Sequence, residues 1–88
     1  MEYKLEKDYL YSINLRGELI LISRTTIRSI KTIHLIDSNK GVYRVEVRVY
    51  FHNSNNMDYT TVFAKNFESF AESEENLKIQ NKFLLENW

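Results

Sequence analysis

Hydrophobic and polar residues alternate near the start of the chain with a period of two. Odd-numbered positions from 3 to 15 are mostly apolar or aromatic, whereas even-numbered positions are mostly Glu, Lys, Asp, Ser and Asn. This alternation predicts a half-buried strand over about residues 3–15, with a break near Lys7 and Asp8. The apolar, odd-numbered side is the side that such a strand would bury.

A second strand is predicted at about residues 18–23, after the turn residues Arg16 and Gly17. Its central residues, from Leu19 to Ile22, are all apolar and show no alternation. Continuous apolar runs are typical of strands that are covered on both faces. We therefore expect this strand to be central in a sheet or part of a closed barrel.

Two longer strands, at about residues 26–37 and 42–51, form a predicted hairpin. A three-residue loop ending in a left-handed glycine is a common hairpin geometry, and it would pair Leu35 with Val45. A loop one residue longer would set Leu35 against Arg44 and mix apolar with charged side chains on one face. The shorter loop is therefore favoured, because register follows the hydrophobic pattern.

The favoured register gives this hairpin one apolar face and one polar face. On the polar face, His34 lies opposite Glu46 and Thr32 lies opposite Arg48. The candidate binding face consists of Arg28, Thr32, His34, Arg44, Arg48 and Tyr50. Such side chains can hold phosphates, stack on bases or pair with an acidic protein, although a solvated sheet face is the simpler interpretation.

The last part of the chain predicts one more strand and a helix. The polar segment 52–58 is interpreted as an exposed, mobile loop that precedes a strand at about 59–64. Beyond this strand the apolar period changes from two to about 3.6, which predicts a helix at about 66–87 with Asn66 or Ser73 as its N-cap. Its predicted core stripe is Phe67, Phe70, Ala71, Leu77, Leu84, Leu85 and Trp88.

Ile79 and Phe83 lie one turn apart on the far side of this predicted helix, away from the core stripe. Two such residues are unusual on a solvated helix face. They either pack beneath the N-terminal strand or form a candidate helix interface with a second copy or another partner.

These elements predict the α+β class: an antiparallel meander of about five strands, in an open or partly closed sheet, with one C-terminal amphipathic helix packed on it. The 88 residues are expected to form a single domain, 1–88, because two cores would each be too small. This order of elements resembles in outline pleckstrin-like and other small sheet-plus-helix modules. A likeness of fold alone assigns no activity.

Charge and cysteine content narrow the classes of partner. Twelve basic and twelve acidic side chains give a net charge of zero, so no overall field attracts nucleic acid or an anionic membrane, and self-association is easier. The chain contains no cysteine, and its longest aliphatic run is far shorter than the 20 or so residues of a membrane span. We expect a cytoplasmic protein that does not bind a membrane.

The sequence offers little catalytic chemistry. With two glycines it cannot form a glycine-rich phosphate loop, and the two histidines lie far apart in sequence. A cross-strand pair of His34 with Glu46 is favoured over a metal site, which needs three or four ligands. No cofactor or metal is expected.

The prediction for function is a small non-enzymatic protein-binding module of adaptor or inhibitor type, whose partner is another protein or a second copy of the chain. One alternative is nucleic-acid binding through the arginines of the candidate binding face, with Tyr50 as a stacking platform. Another is a small enzyme that uses His34 or His52 as an acid or base.

Overall fold

The computed structural model describes residues 2–14, 16–53 and 58–88. Leu15 and residues 54–57 of the predicted loop therefore lie outside the described residues. The elements, in chain order, are β1 (Glu2–Leu5), β2 (Tyr9–Ile13), β3 (Leu19–Ser23), a short 3-10 helix (Arg24–Thr26), β4 (Ile27–Asp37), β5 (Val42–Phe51), β6 (Tyr59–Phe67) and α1 (Phe70–Asn87). The predicted α+β class, with antiparallel strands and a C-terminal helix, is confirmed.

The described strands form two antiparallel sheets instead of one meander. The first sheet has the order β1-β2-β3 and the second has the order β4-β5-β6. Buried residues of both sheets form one core, whose members are Leu10, Ile22, Ile27, Val47, Val49 and Val62. A hydrogen bond from the Ser12 hydroxyl to the carbonyl of Val62, 3.2 Å long, also joins the sheets.

A tight turn divides the first predicted strand into β1 and β2. The N–H of Glu6 donates to the carbonyl of Tyr9 at 2.9 Å. Leu5 pairs with Leu10, so an odd-numbered and an even-numbered residue share the inner face. The prediction that β2 buries its odd-numbered side is wrong, because directly paired residues of antiparallel strands lie on the same face. Leu10 and Ser12 are buried instead.

The position of β3 also differs from the prediction. β3 pairs with β2 and lies at the edge of the first sheet, so it is neither central nor covered on both faces. Ile22 lies in the core, and Ile20 packs against it. Leu19 and Leu21, on the other face, are exposed.

The hairpin of β4 and β5 has the register that the hydrophobic pattern disfavoured. Its loop is one residue longer than predicted, so Leu35 pairs with Arg44 and His34 pairs with Val45. The carbonyl and the side chain of Asp37 both accept from the N–H of Lys40, at 3.3 Å each. Gly41 follows with a φ of 64°, a left-handed conformation that glycine adopts without steric cost.

The alternation along β5 agrees with the prediction. Val45, Val47 and Val49 are fully buried. Arg44 and Arg48 belong to the opposite face, because successive strand residues point to opposite sides of a sheet. On β6, a register irregularity beside Val47 accommodates the buried Val62.

Helix α1 begins later than predicted, and its buried face agrees only in part with the predicted stripe. Its N-cap is Ser69, whose hydroxyl accepts from the N–H of Glu72 at 3.2 Å, so neither predicted cap is used. Ser73 and Gln80 are the buried helix residues, whereas Leu85 of the predicted stripe is exposed. The predicted stripe is correct for Leu84, which packs against the core, and wrong for Leu85. It omitted Ser73 and Gln80, because the sheet supplies polar partners to the face that it covers.

Candidate functional site

The structure divides the candidate binding face between two sides of the second sheet. Thr32 and His34 face α1, where Thr32 donates to Asn81 Oδ1 at 2.7 Å and His34 Nε2 lies 2.8 Å from the Ser73 hydroxyl. Arg28 is exposed beside an irregularity near the start of β4. Arg44, Arg48 and Tyr50 remain together on the outer face of the second sheet, where β5 places them at alternate positions.

His34 has a structural role between sheet and helix. The Ser73 hydroxyl donates its one proton to the carbonyl of Phe70 at 2.7 Å, so it accepts from Nε2 of His34. The imidazole ring also stacks on Phe70, with ring centroids 5.4 Å apart. The predicted pairing of His34 with Glu46 is wrong, because the longer loop moves His34 to the opposite face.

The two arginines of the outer face both bind Glu46. Arg44 Nε lies 2.6 Å from Glu46 Oε2, and Arg48 Nη2 lies 2.8 Å from Oε1. Glu46 is 7% exposed. Burial alone would raise the pKa of Glu46, but the hydrogen bonds and charges of the two arginines outweigh it and lower that pKa. The single carboxylate therefore neutralises one of the two guanidinium charges and ties both arginines to an existing partner.

Tyr50 is not available as a stacking platform, since it is 6% exposed. Lys31 Nζ lies 4.9 Å from its ring centroid, and the ring of Tyr59 is 5.6 Å away. Tyr59 is the more exposed of the two tyrosines, with the Arg48 guanidinium 4.4 Å from its ring. Tyr59 was not predicted as a site residue because the strand at about 59–64 was predicted without its register against β5, which pairs Tyr50 with Tyr59.

The two residues of the candidate helix interface have different surroundings. Phe83 is half-buried against the β1 residue Tyr3, edge to face with ring centroids 5.3 Å apart. Tyr3 also donates to Gln80 Oε1 at 2.7 Å, and burial raises its pKa to about 12. Phe83 thus follows the first alternative, packing beneath the N-terminal strand. Ile79 is exposed.

A contiguous apolar surface, which the sequence pattern did not predict, covers the outer side of the first sheet. This first-sheet face consists of Tyr9, Tyr11, Ile13, Leu19 and Leu21. Four of them are 46–61% exposed, namely Tyr9, Ile13, Leu19 and Leu21. Ile13 pairs with Leu19 and Tyr11 pairs with Leu21, so these side chains are direct neighbours.

An open depression of about 330 Å³ lies at the β1 side of the first-sheet face. Tyr11, Ile13 and Leu19 line it together with the charged residues Glu2 and Lys4. β1 therefore borders an apolar surface with alternating charges. The signal for this surface was present in the apolar run of β3, but that run was interpreted as a doubly covered strand.

Other kinds of site find little support in the described part of the chain. No three His, Asp or Glu side chains come together there as a potential metal site. Within the same residues, α1 lacks the length of apolar sequence that crossing a bilayer would need. Comparisons with protein-family models, curated proteins and solved structures found no match to the chain.

Proposed function

We propose that this protein is a small non-enzymatic protein-binding module, of adaptor or inhibitor type, and that the first-sheet face is its contact surface. The observation that carries the proposal is the exposure of neighbouring large apolar side chains on two adjacent strands. A contiguous apolar patch on a soluble domain marks a site of interaction more often than chance exposure does. Burying these side chains against a partner would remove them from water.

The chemistry of the face indicates the kind of partner. Its centre carries two tyrosines and aliphatic side chains without a charge, as the cores of protein interfaces commonly do. At its border, Lys4 lies between Glu2 and Glu6, so there is no cationic cluster for phosphate groups. The partner we propose is a protein with an apolar contact surface and a rim of mixed charge.

Nucleic-acid binding through the second sheet is the weaker alternative. Lys31, Arg44 and Arg48 do share its outer face with the exposed Tyr59. However, both arginines bind the carboxylate of Glu46, so a phosphate would have to compete with an existing ion pair. An enzyme that uses His34 is a still weaker alternative, because its imidazole is hydrogen-bonded to the Ser73 hydroxyl and stacked on the Phe70 ring.

Two matched double variants test the protein-binding proposal. Tyr9→Lys with Ile13→Lys adds two charges to the first-sheet face. Leu35→Lys with Ile36→Lys adds the same charges to β4, where the replaced side chains are 41% and 53% exposed. Each immobilised protein is used to capture proteins from a lysate of the cells that make it, after circular dichroism has verified folding.

The expected result is a defined set of proteins that the unmodified chain and the β4 variant retain equally and that the first-sheet variant loses. Capture that is equal for both variants would contradict the choice of surface. Failure of the unmodified chain to retain any protein, including a tagged copy of itself, would contradict the proposed function.

A further inference from the structure

Among the strands that the structure describes, β3 pairs only with β2, so its outward edge has no neighbouring strand. Two hydrogen bonds flank its ladder with β2: Asn14 N–H to Glu18 O at 3.1 Å, and Arg24 N–H to Asp8 O at 3.0 Å. Bonded residues alternate along an antiparallel ladder, so the even-numbered residues of β3 are bonded to β2. The N–H and C=O groups of Leu19, Leu21 and Ser23 consequently point away from the sheet.

This edge lacks the features that usually prevent strands from pairing between molecules. Charges, prolines and bulges commonly protect exposed edges. The other edge strands have such features: β1 carries Lys4, β4 carries Lys31 and an irregularity, and β6 carries Lys65 and an irregularity. β3 has the sequence Leu-Ile-Leu-Ile-Ser and contains no charged residue or proline.

We propose that two copies of this chain pair through β3, antiparallel and around a two-fold axis at Leu21. This inference rests on the proposed function, since it names a second copy as the partner at the first sheet. Leu21 of each copy would exchange both backbone hydrogen bonds with Leu21 of the other, and Leu19 would do so with Ser23. The two first sheets would then form one sheet with the order β1-β2-β3-β3-β2-β1.

The register about Leu21 follows from the edge itself. A hydrogen-bonded pair between two β3 strands needs residues whose backbone N–H and C=O groups point away from β2. A register centred on Leu21 pairs all three such residues, namely Leu19, Leu21 and Ser23. The carbonyl of Ser23 accepts from Thr26 Oγ1 at 2.7 Å, which leaves its second lone pair for the other copy. Ile20 would lie opposite Ile22, so apolar residues meet on the inner face too.

Charge complementarity supports the same pairing. Beyond β3 the same register brings Glu18 towards Arg24 of the second copy, and the two-fold axis repeats this approach. Arg24 begins the 3-10 helix and its guanidinium bonds the carbonyls of Glu6 and Trp88, which leave its positive charge unneutralised, so it attracts Glu18 without extending the ladder. Opposite charges at facing positions stabilise neighbouring strands, whereas like charges oppose pairing. The net charge of zero also leaves little repulsion between two copies.

Sedimentation equilibrium of the unmodified chain and of Leu21→Lys tests the pairing. In the proposed dimer, Leu21→Lys places two ammonium groups beside each other at the axis, so we expect the dissociation constant to rise at least about tenfold. Leu35→Lys adds the same charge to the second sheet and is expected to leave the dimer unchanged. A chain that stays monomeric up to millimolar concentration would overturn the pairing.

Cysteine cross-linking tests the register, because the chain has no cysteine of its own. Single Leu21→Cys chains are expected to form a covalent dimer with a short thiol-reactive cross-linker, since paired strands lie about 5 Å apart. Tyr11→Cys is the matched control, because the two copies of this position would be separated by about three strand spacings, about 14 Å. Equal cross-linking at both positions would contradict the β3 register.

These experiments separate the inference from the proposed function. Because Leu21 also belongs to the first-sheet face, cross-linking separates the two kinds of contact. A dimer that dissociates in the Tyr9→Lys, Ile13→Lys variant and cross-links at Tyr11→Cys as readily as at Leu21→Cys would indicate face-to-face contact, which overturns edge pairing and supports the first-sheet face. If the chain is a monomer but still captures other proteins through that face, the second copy is not its partner, whereas the proposed function stands.

Discussion

At the residue scale, Glu46 is the most constrained charged group of the second sheet. It is nearly buried, and both of its carboxylate oxygens accept from arginines of its own strand. Its contribution to folding comes from two guanidinium groups whose other contacts, the Asn66 amide oxygen for Arg44 and the Tyr59 ring for Arg48, carry no negative charge. Charge-assisted hydrogen bonds of this kind are about twice as strong as neutral ones.

Replacing Glu46 with Gln is therefore expected to lower the free energy of unfolding at pH 7 by about 1–3 kcal/mol, because Arg44 and Arg48 lose their anionic partner. Urea denaturation followed by circular dichroism measures the change. Glu86→Gln is the control, since Glu86 is an exposed helix residue in a long ion pair of 4.0 Å with Lys82. A control variant as unstable as Glu46→Gln would argue against a special role for Glu46.

The ion pairs of Glu46 with the two arginines also predict how the stability difference between the unmodified chain and Glu46→Gln depends on pH. The folded-state pKa of Glu46 is lowered from 4.5, so its contribution is fully present above that value and is lost as the pH falls through the lower folded-state pKa. The gap in stability between the unmodified chain and Glu46→Gln should therefore narrow in acid. A gap that is constant from pH 7 to pH 3 would contradict this assignment.

Sequence reasoning succeeded for residues whose surroundings are local. The alternation of Val45, Val47 and Val49 with Arg44 and Arg48 was sufficient to place the arginines on the outer face. It failed for Thr32 and His34, whose partners on α1 lie 49 and 39 positions away along the chain. A polar residue on an inner face cannot be recognised without knowing which element covers it.

At the element scale, turn geometry determines which side chains of β2 and β4 face inward, and the hydrophobic pattern alone did not predict this. One more residue in the loop after Asp37 moved His34 to the helix side, and the turn before Tyr9 reversed the buried side of β2. The signal at Asp37 was available, because aspartate commonly opens turns by accepting from the backbone. The hydrophobic pattern outweighed it in the prediction because Leu35 was assumed to be buried, whereas it is exposed.

Helix α1 depends on Ser69, the cap that the sequence analysis did not select. Ser69→Ala removes the acceptor for the N–H of Glu72, and we expect a loss of about 1 kcal/mol of stability. For a domain of this size, such a loss lowers the melting temperature by about 4–8 °C. Ser38→Ala in the exposed β4–β5 loop is the control. Melting temperatures that fall equally in both variants would contradict the cap assignment.

At the scale of the whole molecule, Arg24 connects parts of the chain that are far apart in sequence. Its Nη1 donates to the carbonyl of Glu6 at 2.7 Å, and its Nη2 donates to that of Trp88 at 2.7 Å. The guanidinium also lies 4.8 Å from the Trp88 ring centroid. α1 has no basic residue in its last turn, so Arg24 supplies the positive charge that favours a helix C-terminus.

Arg24→Gln should consequently loosen the β1–β2 turn and the end of α1 together, although these segments lie at opposite ends of the chain. We expect a loss of about 1 kcal/mol of stability, from the missing charge at the helix end and its hydrogen bonds. Hydrogen exchange measured by mass spectrometry should show faster exchange at both segments and unchanged exchange in β5. Arg16→Gln, in an exposed turn, is the matched control. Faster exchange at the helix end alone would show that Arg24 caps α1 without connecting it to the first sheet.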